Sequence, residues 1–460
     1  MYKDFIDDQK LLNVLENVES TKDEIDRIIN KSLKRNPLTL KETAVLLNAN
    51  DEESIQKIFN GAKTLKENVY GDRVVIFAPL YIGNKCTNGC KYCGFNANNK
   101  DMLRKTCTDE EIQKQVQGME STGQKRTILV YGTHPEYDGD FIAESVQTVY
   151  DTKLENGEIR RANINASPME VKDYKKLVEV GIGTYQIFQE TYHHETYKEV
   201  HPFGKKSDFE YRITGLDRAM EAGIDDVGIG ALFGLYDWKY EVLGLVEHAK
   251  HLEDTFGVGP HTISFPRLND ASNIDVSDEY FVSDKELKRI VAILRLAVPY
   301  TGLILTAREP AELRSEMFEL GVSQIDAGTK IELDGYTKED EQDLDKEQFE
   351  IGDTRSLEEV IYELLENDFT PSFCTACYRL GRTGEHFMEF AKPGFIHEYC
   401  IPNACLTLAE YLIDYANEET EELGFKKIDK KIEELENEEI KIKLINKLEK
   451  VKNGKRDLYF

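Results

Sequence analysis

From Arg73 onward the chain alternates short β-rich apolar runs with longer amphipathic stretches, and this rhythm constrains the fold more than any other feature. Runs at residues 74–81, 127–131, 162–166, 184–188, 226–231, 262–265, 303–306 and 322–325 read as strands. Segments such as 109–120, 171–180 and 208–222 carry the helical period between them. Strands joined by helical crossovers pair in parallel, since the helix returns the chain to the same end of the sheet. Eight such units suffice to close a (β/α)8 barrel, so the expected class is α/β with a TIM barrel over residues 71–340.

Residues 1–70 read as a helical extension, because Leu11, Leu12, Val14 and Leu15, then Ile25, Ile28 and Ile29, recur at helical spacing and 39–47 repeats the pattern. The acidic stretch Thr337-Lys338-Glu339-Asp340-Glu341 reads as a loop leaving the barrel. A C-terminal region follows over 341–460, with a helix near 357–366. Its Glu/Lys-rich end carries Ile442, Ile445 and Leu448 at helical spacing, the pattern of a solvated amphipathic helix.

A formal net charge of −28 and a pI near 4.9 disfavour nucleic acid or an anionic membrane as partner, because phosphates would be repelled. A small molecule or another protein fits better. No uncharged apolar run reaches the roughly 18 residues of a membrane span, and the start, Met1-Tyr2-Lys3-Asp4-Phe5-Ile6-Asp7-Asp8, lacks the pattern of a secretory signal. The expected location is the cytoplasm, with reduced thiols. The 8 cysteines are then metal or redox groups rather than a disulfide scaffold.

Three of them, Cys86, Cys90 and Cys93, stand at Cys-x3-Cys-x2-Cys spacing directly after the first expected strand. Three thiolates on one loop can ligate three irons of a [4Fe–4S] cube and leave the fourth iron without a protein ligand. Zinc would need a fourth Cys or His nearby, and the next, Cys107, lies fourteen residues beyond Cys93. The loop resembles that of radical S-adenosylmethionine (SAM) enzymes. The resemblance implies that the open iron binds the amino and carboxylate groups of SAM, and that an electron from the cluster releases a 5′-deoxyadenosyl radical. Tyr92, just before the third cysteine, is then placed to lie against adenine.

A second group comprises Cys374, Cys377 and Cys400, with Cys405 five residues further on. On spacing alone, zinc held by four cysteines and a second iron–sulfur cluster both remain open. Cys-x2-Cys-x22-Cys embedded in Phe373-Cys374-Thr375-Ala376-Cys377-Tyr378-Arg379-Leu380-Gly381 resembles the auxiliary-cluster motif of the HydG-type tyrosine lyases, relatives of ThiH and biotin synthase. Matching stretches include Phe77-Ala78-Pro79-Leu80-Tyr81, Phe188-Gln189-Glu190-Thr191-Tyr192-His193, Gly259-Pro260-His261-Thr262-Ile263-Ser264 and Ala297-Val298-Pro299-Tyr300-Thr301-Gly302. The resemblance implies cleavage of the tyrosine Cα–Cβ bond to p-cresol and dehydroglycine. It further implies conversion of that fragment to CO and cyanide at a second [4Fe–4S] cluster, with an extra iron bound in part at His261, for assembly of the [FeFe]-hydrogenase cofactor. Implied partners are hydrogenase maturation proteins and an electron donor such as ferredoxin or flavodoxin.

The same resemblance sets Tyr92, Thr133, Glu190 and Arg212 around SAM, and Arg267, Asn269 and Asp326 at the substrate. Three of these depart from the family. A glutamate expected after the second strand is Thr133 in Gly132-Thr133-His134-Pro135, a second arginine after Arg267 is Asn269, and a Ser-Gly-Gly-Ser segment is replaced by Asp326-Ala327-Gly328-Thr329. Arg212 stands where related barrel enzymes such as biotin synthase place an arginine facing the SAM carboxylate. Three readings follow: a tyrosine lyase with two clusters, a two-cluster paralogue acting on another small molecule, and a cluster or iron carrier without SAM cleavage.

Overall fold

The computed structural model describes residues 2–269, 275–338, 347–381, 383–384 and 396–460, so the acidic positions 339–341 lie outside the described residues. Strands β1 (Arg73–Gly83), β2 (Arg126–Tyr131), β3 (Arg161–Asn165), β4 (Tyr185–Glu190), β5 (Val227–Ala231), β6 (Thr262–Ser264), β7 (Gly302–Leu305) and β8 (Gln324–Asp326) match the eight expected runs to within two residues at either end. Each pairs in parallel with the next, and β1 pairs with both β2 and β8, which closes the barrel. Burial explains the legibility of these runs: every residue of β1, β2 and β5 is buried, as parallel strands covered on both faces require.

β1 spans 11 residues and serves two partners along one edge. Its second half, Ala78 to Gly83, pairs with β2. Its first residues pair with a ninth strand, β9 (Thr370–Ser372), in the register Arg73 to Thr370 and Val75 to Ser372. The C-terminal region is therefore continuous with the barrel sheet.

Helices α1 (Asp8–Glu16), α2 (Lys22–Leu33), α3 (Leu40–Leu47) and α4 (Glu52–Tyr70) form the N-terminal extension, each started by a side-chain cap from Asp7, Thr21, Thr39 and Asp51 respectively. Ile25 and Ile28 are at most 1% exposed, and each such isoleucine contributes about 1.5–3 kcal/mol of burial. α2 packs closely on α4 because a Cβ at Gly61 would lie 2.7 Å from the Ile29 side chain. Ahead of α1, Asp4 and Asp8 clamp the imidazole of His194 at 2.6 and 2.8 Å.

The barrel crossovers include α5 (Asp109–Ser121), α6 (Gly139–Asp151), α7 (Val171–Val180) and α8 (His194–Val200). The stretch expected as one helix at 208–222 is two, α9 (Phe209–Ile213) and α10 (Gly215–Glu221). Thr214 breaks it by turning its hydroxyl back to the Glu210 carbonyl at 2.6 Å. α11 (Trp238–Phe256), α12 (Asp284–Ala297) and α13 (Ala311–Leu320) complete the outer ring. Inside the barrel, Phe77, Ile128 and Ile304 pack on one another.

Beyond it come α14 (Leu357–Glu366), the short α15 (Ala376–Arg379), α16 (Ile396–Asp414), α17 (Glu418–Glu434) and α18 (Glu438–Lys452). The Glu/Lys-rich end is thus two helices. In α18 the stripe that packs inward is Leu444, Leu448 and Val451, whereas Ile442 and Ile445 are exposed. No helix among the described residues is long and apolar enough to cross a membrane.

Candidate active site

The loop after β1 is fastened on every side by backbone hydrogen bonds. Thr87 N donates to Thr133 O at 2.9 Å, Lys91 N to Val200 O at 3.0 Å and Gly94 N to Gln348 O at 3.0 Å. Arg104 threads its guanidinium into the loop, donating to the carbonyls of Asn84, Phe95, Asn96 and Asn99 at 2.7–3.1 Å. A Cβ at Gly94 would sit 2.8 Å from Glu347 O, so only glycine allows this approach.

Cys86, Cys90 and Cys93 converge on one cavity at the C-terminal end of the barrel strands, the end that carries catalysis in this architecture. Burial pushes the Cys90 thiol up to about 12, with Cys93, Cys86 and Glu190 adding to the shift, while Cys93 is raised by burial and then by Cys86. Such thiols ionise only against a strong local cation, which is what iron supplies. Among the described residues no three His, Cys, Asp or Glu side chains are close enough to share one ion. A cluster does not require that, because each thiolate takes a different corner of the cube, and an all-thiolate donor set suits iron–sulfur chemistry.

The cavity has a volume of about 170 Å³ and opens to solvent on one side. Tyr92, Thr133, Glu190, Arg212 and Asp326 all line it. Tyr92 is held by its hydroxyl, 2.7 Å from His201 Nε2. Thr133 joins the loops after β2 and β3 through Ser167 Oγ at 2.6 Å. Glu190 ends β4 at φ +73°, a left-handed conformation that costs a non-glycine residue about 1–2 kcal/mol. The strain turns its carboxylate to Lys206 Nζ at 2.5 Å, with Arg212 Nη2 at 3.9 Å.

Two of the expected substrate residues stand outside the cavity wall. Arg267 is occupied by Glu309 on one side and by Asp284 at 2.8 Å on the other. Asn269 donates to Arg308 O at 2.9 Å. A third cation, Arg308, faces the cavity beside Lys206 and Arg212, and sequence reasoning missed it. Its guanidinium lies 3.4 Å from the Phe349 ring centroid, and no ion pair ties it to another described residue. Burial pulls its pKa down, against the raising influence of Tyr81, Glu190 and Cys93. Its position just past the C-terminal end of β7 was the available signal. Asp326, at the end of β8, is raised by burial and backed by Arg314 at 3.6 Å.

The second cysteine group sits at the opposite end of the barrel. Cys374 follows β9, and its carbonyl accepts from Arg126 Nη1 at 2.6 Å at the start of β2. Cys377 lies in α15, and Cys400 in α16. The Cys377 thiol is raised well above its ordinary value, first by its hydrogen bond with Cys400, then by burial and the nearby Cys374. Tyr378 carries this segment onto the barrel, its ring under Arg161 at 4.2 Å and its hydroxyl 3.2 Å from Thr184 Oγ1. His261 lies just before β6 at this same end, 6.5 Å from the Tyr378 ring, with Asp226 at 3.7 Å. Cys405 is fully buried in the core, because five residues along a helix turn it about 140° away from Cys400. Cys107 is separate as well, its thiol donating to Leu333 O at 3.4 Å.

Comparison with known proteins agrees with this architecture. Residues 80–247 match the radical SAM superfamily, and residues 264–370 match the biotin and thiamin synthesis associated domain. The fold superposes on a crystal structure of HydG, described as a maturase of the [FeFe]-hydrogenase, with a TM-score of 0.96 and 48% identity, covering 99% of this chain and 100% of that one. HydG from Carboxydothermus hydrogenoformans gives 0.83 and 39% identity, covering 96% and 97%. The 2-iminoacetate synthase of Salmonella typhimurium is 29% identical over 78% of this chain and 92% of its own length.

Proposed function

The chain belongs to the HydG family: it is a radical SAM tyrosine lyase, and we propose that it divides its reaction between the two ends of the barrel. Cys86, Cys90 and Cys93 hold the SAM-binding [4Fe–4S] cluster, and Cys374, Cys377 and Cys400 hold the second, with His261 beside it for an extra iron. When bound, the first cluster and SAM supply a one-electron cleavage that yields a 5′-deoxyadenosyl radical; the electron comes from a donor protein such as ferredoxin or flavodoxin.

The remaining work falls to side chains of this chain. Lys206 and Arg212 hold Glu190 toward the cavity, where its carboxylate receives the amino group of SAM, and Thr133 takes the place of the usual glutamate with a hydroxyl. Tyr92, pinned by His201, offers a ring face for adenine. Arg308 captures the carboxylate of tyrosine, and Asn269 supports it by holding the Arg308 carbonyl. That restores the cation whose loss at Asn269 the sequence suggested. Asp326 lies in the same wall, where an amino group is its natural partner. Phe349 covers the guanidinium and keeps water from competing for it.

The observation that carries this reading is the placement of Arg308, a cavity-facing cation beside the cysteine loop with no carboxylate paired to it among the described residues. Cleavage there would give p-cresol and dehydroglycine, and a cluster held by Cys374, Cys377 and Cys400 would supply the chemistry for CO and cyanide release to hydrogenase maturation partners. Anaerobically reconstituted protein given SAM, dithionite and tyrosine is expected to form 5′-deoxyadenosine and p-cresol, with CO trapped by deoxyhaemoglobin. Deoxyadenosine without cresol would point to another substrate, and the absence of both to a cluster carrier.

A further inference from the structure

We propose that the C-terminal strap, residues 456–460, is a positioning element for the second cysteine group, and that Asp457 fixes the helix of Cys377 relative to the helix of Cys400. The proposal rests on the reading that those cysteines hold a cluster. Twenty-two residues separate Cys377 from Cys400, so the intervening chain does little to set their spacing. α15 is only four residues long, a single turn that has no stability of its own.

The strap supplies the missing constraint. Arg379, two residues after Cys377, is ion-paired with Asp457, and its guanidinium lies 5.6 Å from the ring of Tyr459. The backbone N of Asp457 donates to Glu410 Oε1 at 2.6 Å, and Glu410 Oε2 holds Arg160 at 2.6 Å, a pair with side chains 1% and 3% exposed. Arg160 also lies 3.3 Å from the Asp457 carboxylate, directly before β3. One aspartate thus meets α15, α16 and the floor of the barrel.

Three residues further on, Phe460 N donates to Asn403 Oδ1 at 2.8 Å. Asn403 is three residues after Cys400 and shares its side of the helix. Three residues of chain reach at most about 10 Å, so Arg379 and Asn403, and the cysteines beside them, are held within a short fixed span. Arg456 anchors the strap's start by pairing with Asp414 at 2.6 Å. Asp457 itself adopts φ +61°, a strained conformation that persists only where its surroundings over-determine it.

The test compares reconstituted full-length protein with Asp457→Ala, Asp457→Glu and Arg379→Gln, read by iron content and by the separate electron paramagnetic resonance signals of the two clusters. Asp457→Ala and Arg379→Gln are expected to lose at least half of the second-cluster signal and CO release. The SAM-responsive signal and deoxyadenosine formation should stay within twofold of wild type, and Asp457→Glu should recover most of the loss. The Tm of the iron-free protein separates this from general destabilisation, since a merely structural strap would lower it in proportion. Full second-cluster signal in both Asp457→Ala and Arg379→Gln, alongside its loss in Cys377→Ala, overturns the proposal alone. Retention of that signal in Cys377→Ala overturns the cluster assignment and the strap's role with it. If Asp457→Ala is recovered unfolded, Arg379→Gln, altered at a partly exposed side chain, decides.

Discussion

The two cysteine groups are brought together by opposite routes. Cys86, Cys90 and Cys93 lie within eight residues of each other on a loop fastened by its own backbone and by Arg104, so local sequence determines most of their geometry. Cys374, Cys377 and Cys400 come from a strand end, a single turn and a distant helix, and depend on Arg126, Tyr378 and the C-terminal strap to meet. A site built from contiguous chain tolerates changes elsewhere. A site assembled from three elements inherits the stability of everything that joins them.

Crossed cysteine variants give the sharpest break in this comparison. Cys90→Ala is expected to drop deoxyadenosine and p-cresol to background while leaving the second-cluster spectrum in place, because the two cysteine groups share no residue. Cys377→Ala should do the reverse, sparing deoxyadenosine and p-cresol and abolishing CO. Concerted loss of both spectra in either variant would show that the ends are not independent.

A smaller effect is expected at Arg308. Removing a cation paired with a substrate carboxylate typically costs about 2–4 kcal/mol, or roughly 30- to 1,000-fold, so Arg308→Leu should raise the KM for tyrosine by that factor with both cluster signals unchanged. An unaltered KM would move carboxylate binding to another residue. Arg267→Gln, in contrast, should act on stability, because Arg267 already has Glu309 and Asp284.

The smallest effect concerns the N-terminal clamp on α8, whose far end, Val200, holds the first cysteine loop through Lys91. Hydrogen bonds donated by its ring to the carboxylates of Asp4 and then Asp8 push His194 up to about 9 from its usual 6.5. A raised histidine contributes its full stability below the unfolded value and loses it as pH rises through the folded one. Thermal stability should therefore fall as pH passes from about 7 to 10, by no more than about 1 kcal/mol because the imidazole is 37% exposed. His194→Asn should flatten that dependence, and an identical slope in the variant would remove the clamp from the account.

Much of this was legible from the chain because burial writes itself into periodicity. Parallel strands covered on both faces show as short continuous apolar runs, which is why all eight were found, and the first cysteine loop is local enough to read directly. The break at Thr214 was not legible, since a threonine inside a helical pattern signals nothing until its hydroxyl turns back on the preceding turn. Arg308 and Lys206 were missed for a different reason. They are ordinary cations in sequence and become special only when the turn after α8 and the loop after β7 deliver them to one cavity. Choosing Cys400 over Cys405 needed the resemblance at first, and helix geometry now supplies the reason.

The divided edge of β1 carries one more consequence. Ser372 pairs at the level of Val75, and the first cysteine loop begins three residues past Gly83, so the strand acts as a ruler of about 26 Å between the two workplaces. No side-chain motion bridges such a length, so under the proposed division of the reaction a small, hydrolysable fragment released at one end has to travel to the other. The yield of CO per p-cresol thus becomes a gauge of leakage: a tight passage keeps it near one, and any variant that opens the barrel wall should lower it without slowing the first cleavage.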